Sequence, residues 1–116
     1  MTLNDLIKDF GLTVKTGAEH LGREVTGGYV SDLLSDVLAH AEDGNIWVTL
    51  HIHQNIVAVA AHTGLSGIIL IQDRVPDQDT IAKAEEEGIP IMVSGLSAFE
   101  LVGRLYKAGI RGAEAL

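Results

Sequence analysis

The chain has 116 residues, eight Lys and Arg against sixteen Asp and Glu, a formal net charge of −8 at pH 7 and an apolar fraction of 47%. That length fits one domain, residues 1–116 as a single unit, and that charge repels phosphate backbones and anionic bilayers, so nucleic acid and membrane surfaces are excluded as general partners. Cysteine is absent, which removes disulfides, thiolate metal sites and cysteine nucleophiles together and fits a cytoplasmic protein.

The first ten residues do not read as a signal peptide, because Asn4, Asp5, Lys8 and Asp9 interrupt them. The longest apolar runs, such as Ile68 to Ile71, are too short to span a bilayer. Thr2 is placed to cap a first helix, with Asp5 facing the positive end of its dipole. Leu3, Leu6, Ile7 and Phe10 then share one face, and Gly11 ends the helix. Leu12 to Thr16 reads as a short strand, and Gly17 to Arg23 as a polar turn. Glu24 to Val30 reads as a strand disturbed at Gly27 and Gly28.

Ser31 or Asp32 is then expected to cap a second helix with an apolar stripe of Leu33, Leu34, Val37, Leu38 and Ala41. Ile46 to His51 alternates in the manner of a strand. Asn55 opens a helix whose Ile56 to Ala61 run has no polar face, which predicts burial. Gly67 to Ile71 reads as a strand covered on both sides. Pro76 and Asp77 start a helix through Glu87, with Ile81 and Ala84 inward. Ile89 to Val93 is the next strand. Ser97 and Glu100 have the spacing of a capping box for a last helix to about Ala108. The tail from Arg111 is expected to fray. Strands alternating with helices of this length predict an α/β fold, a single domain with a mainly parallel sheet and flanking helices.

The segment Arg23-Glu24-Val25-Thr26-Gly27-Gly28-Tyr29-Val30-Ser31-Asp32-Leu33-Leu34-Ser35-Asp36-Val37 resembles the DRTGG domain family. So does Trp47-Val48-Thr49 followed by Asn55-Ile56-Val57-Ala58-Val59-Ala60. The resemblance covers nearly the whole chain. Glu24 after Arg23 departs from the string that names the family, while Thr26, Gly27 and Gly28 keep its core. A shorter likeness, through Leu6-Ile7 and Leu12-Thr13-Val14 before Gly17, is to the N-terminal domain of the HPr kinase/phosphorylase family. The DRTGG resemblance implies an accessory α/β domain found alone, beside CBS domains in certain pyrophosphatases, and in phosphate acetyltransferases. Where it is joined to an enzyme, the chemistry lies in the other domain. It also implies a homodimer.

Motifs for self-sufficient catalysis are missing from the chain. A P-loop needs Gly-Lys before Ser or Thr, and no Gly-Lys pair occurs. Neither an Asp-His-His cluster nor a Gly-x-Ser-x-Gly elbow is present. Glu85, Glu86 and Glu87 read as a solvated helix end. His51 and His53 share a side if extended, but His62 lies about 13 Å along the next helix at 1.5 Å per residue, so neither a metal site nor a cofactor is expected.

Open α/β sheets bind ligands beyond the carboxyl ends of their strands. On that rim the candidate ligand-binding residues are Gly27, Gly28, Ser31, Asn55, Ser94, Gly95 and Ser97. Thr26-Gly27-Gly28 offers backbone N–H groups to an anion; the alternative is tight strand geometry beside close packing. The Ser94 to Ser97 turn carries no acid and is ranked the better cradle, since Asp32 repels phosphate.

The leading functional reading is a non-enzymatic regulatory module that binds a nucleotide or another small anionic metabolite and self-associates. The alternatives are a pure protein-interaction or scaffold domain using Trp47, Phe99 or Tyr106, and a small enzyme with its site on the rim.

Overall fold

A capping box starts the chain's first helix: Asp5 N–H donates to Thr2 Oγ1 at 3.3 Å and Thr2 N–H donates to Asp5 Oδ2 at 2.9 Å. The helix, α1, runs Leu3–Phe10 and buries Leu3 and Leu6, the inward positions of its apolar face. The computed structural model describes residues 1–112. The order continues with β1 (Thr13–Thr16), a 3₁₀ turn (Ala18–His20), β2 (Gly27–Val30), α2 (Leu34–His40), β3 (Asn45–Thr49), α3 (Asn55–Thr63), β4 (Gly67–Leu70), α4 (Gln78–Glu87), β5 (Ile91–Val93) and α5 (Ala98–Lys107).

One five-stranded sheet has the order β1-β5-β4-β3-β2. β2 to β5 are mutually parallel, as the alternation of strand and helix predicts, and β1 closes one edge antiparallel to β5. Every residue of β3 and β4 is buried. Their alternate side chains feed two cores. Trp47, Ile68 and Leu70 pack with Val37 of α2, Ile56 of α3 and Ala84 of α4. Ile46, Val48 and Ile69 pack with Leu3 and Leu6 of α1 and Leu101 and Leu105 of α5. The result is three layers, with α2, α3 and α4 on one face and α1 and α5 on the other. Among the described residues no helix is long and apolar enough to cross a membrane.

Several local expectations are corrected. Neither Ser31 nor Asp32 caps α2: its N-cap is Leu33, without a side-chain bond. Ser31 Oγ instead accepts from Leu33 N–H at 3.1 Å, and Asp32 turns toward β3. The α2 stripe is narrower than its sequence suggests, because Leu33 is 64% exposed and Leu38 also faces solvent. α3 buries Ile56, Val57, Val59 and Ala60, but Ala58 and Ala61 are exposed, alanine being tolerated on either side. Glu85 is more than a solvated charge, since its carboxylate accepts from Gly17 N–H at 2.7 Å. The chain does not let go at Arg111. Gly28 N–H donates to Arg111 O at 2.9 Å, and the Arg111 guanidinium lies 4.0 Å from the Tyr106 ring centroid and donates to the Tyr106 carbonyl. The rest of the tail expected to fray, residues 113–116, lies outside the described residues.

Candidate functional site

Loops leaving β2, β3 and β4 turn toward the layer of α2, α3 and α4, whereas the loop leaving β5 turns toward α5. Neighbouring strands whose connections diverge leave a crevice at their carboxyl ends, the usual ligand position in open α/β sheets. Here that point is between β4 and β5, and the chain closes it with its own groups. Gln72 N–H donates to Leu96 O and Asp73 N–H to Ser94 O, both at 2.9 Å. The Asp73 carboxylate lies 3.2 Å from the position a Gly95 Cβ would take. The Ser94 to Ser97 turn therefore does have an acid against it, contrary to the sequence reading, because Asp73 arrives from another loop.

Gln72 and Asp73 both have φ of 56°. Positive φ at two successive non-glycine residues is uncommon and strained. Arg74 N–H closes the turn on Ile71 O at 3.1 Å, the pattern of a type I′ turn. The turn brings Arg74 back over the ends of β2 and β3.

There Asp32 is the organising residue. Its Oδ1 accepts from Thr49 Oγ1 and from Leu50 N–H, each at 2.8 Å, and its carbonyl accepts from His51 Nε2. That last bond puts the proton of a neutral His51 on Nε2. Trp47 Nε1 donates to Ser31 O at 2.9 Å. Asp32, Leu50, His51, Ile52, His53 and Arg74 together line a cleft of about 390 Å³. Among the described residues no ion pair joins Asp32 to Arg74, and the Arg74 guanidinium has no hydrogen-bond partner. No group of three or more His, Cys, Asp and Glu among those residues is arranged to hold a metal ion.

The sequence-derived rim residues separate into groups. Ser31, Asn55, Ser94, Gly95 and Ser97 do lie at carboxyl ends of strands or at the helix starts that follow. They do not form one site. β2 and β5 are separated by β4 and β3, which sets Ser31 about 14 Å from the Ser94 turn at 4.7–4.9 Å per strand. Gly27 and Gly28 are not on the rim at all. They begin β2 at its amino end, and a Cβ on Gly27 would meet Arg111 O at 2.7 Å and Asn45 Nδ2 at 3.2 Å. Close packing explains this glycine. The Ser31, Ser94 and Ser97 hydroxyls accept from Leu33, Leu96 and Glu100 N–H groups, as turn and cap residues do.

Asp32, His51, His53 and Arg74 are the cleft residues that the candidate set left out. Their rim position was readable, but their meeting depends on the turn at Gln72 and Asp73. A second hollow, about 380 Å³, lies between β2 and α5, bounded by Gly28, Val48, Leu105, Ile110 and Arg111 among others. It continues into an open apolar surface at Val30, Phe99, Val102 and Tyr106.

No family model matches the chain, and no curated protein matches it. A solved structure does. It contains the CBS and DRTGG domains of the regulatory region of Clostridium perfringens pyrophosphatase, complexed with the activator diadenosine tetraphosphate. The match has a TM-score of 0.68 and 13% identity, and covers 99% of this chain and 52% of the other, so this chain spans about half its length. That likeness establishes a related fold.

Proposed function

We propose that this chain is a regulatory ligand-binding domain of the DRTGG type, acting in the cytoplasm as a homodimer and responding to a small anionic ligand of the nucleotide kind, with no reaction of its own. The observation that carries the reading is the fold match over nearly the whole chain with a regulatory region complexed with a nucleotide activator. The isolated chain is accordingly expected to transfer no phosphate from ATP to protein serine.

A thermal-shift screen of nucleotides, phosphorylated metabolites and divalent metals tests the reading. A ligand at a hundred times its Kd adds about 2.7 kcal/mol of stability by mass action. A scaffold responds to none of them, and absence of any shift refutes the ligand-binding function.

The scaffold reading is favoured by one observation. Phe99 is 90% and Tyr106 56% exposed, on an apolar surface that contains no acid in a chain of net charge −8. Trp47, the third residue assigned to such a surface, is fully buried and takes no part. We place the homodimer contact on this α5 and β2 surface, where apolar area is available for self-complementary packing.

A further inference from the structure

We infer that the cleft at the ends of β2 and β3 takes one mononucleotide, with its phosphate on Arg74 and a hydrogen-bond donor of its base or ribose on Asp32. The inference rests on the ligand-binding reading above and names the site and the ligand class.

The cleft is lined by one acid and one base that do not pair with each other. Asp32 Oδ1 is held by Thr49 and Leu50, while Oδ2 has no hydrogen-bond partner among the described residues. A fixed carboxylate with one free oxygen accepts from an amine or hydroxyl and repels phosphate. Arg74 lines the same cavity without pairing to Asp32 or to any other acid among the described residues. An unpaired guanidinium suits two phosphate oxygens at once. Leu50, His51, Ile52 and His53 complete the lining. Apolar side chains and flat rings suit the face of a base.

A ligand matching this lining carries a hydrogen-bond donor, a flat apolar part and an anion. Inorganic phosphate lacks the first two and a nucleoside lacks the last. The volume, about 390 Å³, is near the lower end of the roughly 300–1,000 Å³ range of small-molecule sites. That volume is compatible with one nucleoside and its phosphate. The strained turn at Gln72 and Asp73, held by their N–H bonds to Leu96 O and Ser94 O, delivers Arg74 to the cleft.

Titration calorimetry of the full chain with AMP, GMP, CMP, adenosine, inorganic phosphate and diadenosine tetraphosphate tests the inference. At least one monophosphate is expected to bind about tenfold or more tightly than adenosine or phosphate alone. Arg74→Ala and Asp32→Asn are each expected to weaken it by about tenfold or more. Asp32→Asn retains a carbonyl oxygen for Thr49 and Leu50, so folding is kept while the free acceptor is lost. Unchanged melting temperatures for both variants confirm that the loss is local. If a monophosphate binds both variants as tightly as it binds the original chain, the cleft assignment is overturned and the ligand-binding reading stands. The same holds if another class of metabolite binds and no mononucleotide does. If no compound of any class shifts the melting temperature, both fall together.

Discussion

A single methyl group at Gly17 would meet the backbone of a neighbouring loop. Its φ is 73°, and a Cβ there would lie 2.6 Å from Pro90 Cα. The left-handed conformation costs an L-residue about 1–2 kcal/mol, and overpacking against backbone adds about 1–3 kcal/mol. Gly17→Ala is therefore expected to destabilise the fold by about 2–5 kcal/mol, read as a lower urea midpoint. Gln72 presents the reverse case. It is exposed with φ of 56°, so Gln72→Gly relieves strain at the cost of unfolded-state entropy and is expected to gain about 0.5–1 kcal/mol. Asp36 sets an acid dependence. Hydrogen bonds from the Ser31 and then the Tyr29 side chain hold its carboxyl below the ordinary carboxylate range. A lowered folded value means that its contribution is complete above the unfolded value and disappears as pH falls through the folded one. The stability difference between the original chain and Asp36→Asn is thus expected to shrink as melts are repeated from pH 5 down to pH 2.5. A constant difference would show that Asp36 does not titrate differently on folding.

At the scale of elements, β1 is the strand most dependent on one side chain. It pairs antiparallel with β5, and its register shifts between Val14 and Thr16. At that shift Thr16 Oγ1 donates to Ile89 O at 2.7 Å and accepts from Ile91 N–H at 2.8 Å, while the residue is 2% exposed. Thr16→Val keeps the shape and leaves a buried donor and acceptor unpaired, for an expected loss of about 1–3 kcal/mol in chemical denaturation. Faster hydrogen exchange at Ile91 N–H than in the original chain would locate the loss at this edge. The opposite edge is managed differently. Among the described residues β2 has no further strand beside it, and the segment at Arg111 receives the Gly28 N–H. Covering an edge this way limits uncontrolled strand pairing. It also explains why Gly27→Val would be a poor probe of ligand binding, since the added side chain would strike Arg111 O first.

For the whole molecule the main tension is between charge and exposed apolar area. A net charge of −8 opposes association, yet α5 presents Phe99 and Tyr106 to solvent. Apolar contact at that surface must outweigh repulsion for the proposed homodimer to form. Light scattering is expected to give a dimer mass for the original chain and a monomer mass for Phe99→Glu. Phe99 touches little of the fold, so the variant's melt should change only through dissociation. A monomer mass for the original chain across a wide concentration range would remove the dimer from the account.

Sequence by itself determined most of the elements and their alternation of strand and helix. Thr2, Gly11, Gly64, Gly88 and Ser97 mark helix ends through bonds made within a few residues. The alternation of Ile46, Trp47 and Val48 assigns their faces through the strand period of two. Continuous apolar runs at Ile68 to Ile71 identify a strand covered on both sides for the same local reason. Tertiary structure alone decided which residues meet. Gly27 and Ser31 are four positions apart but lie at opposite ends of β2, so a glycine-rich motif and the rim it was assigned to are about 13 Å apart at 3.3 Å per residue. Asp32, His51 and Arg74 come from three different loops and share one cleft because parallel strands put all their carboxyl ends on one edge. The turn at Gln72 and Asp73 has no glycine to announce its positive φ. Its conformation is imposed by bonds to Ser94 and Leu96, in the loop after the neighbouring strand β5, and no local pattern encodes a constraint that arrives from so far along the chain.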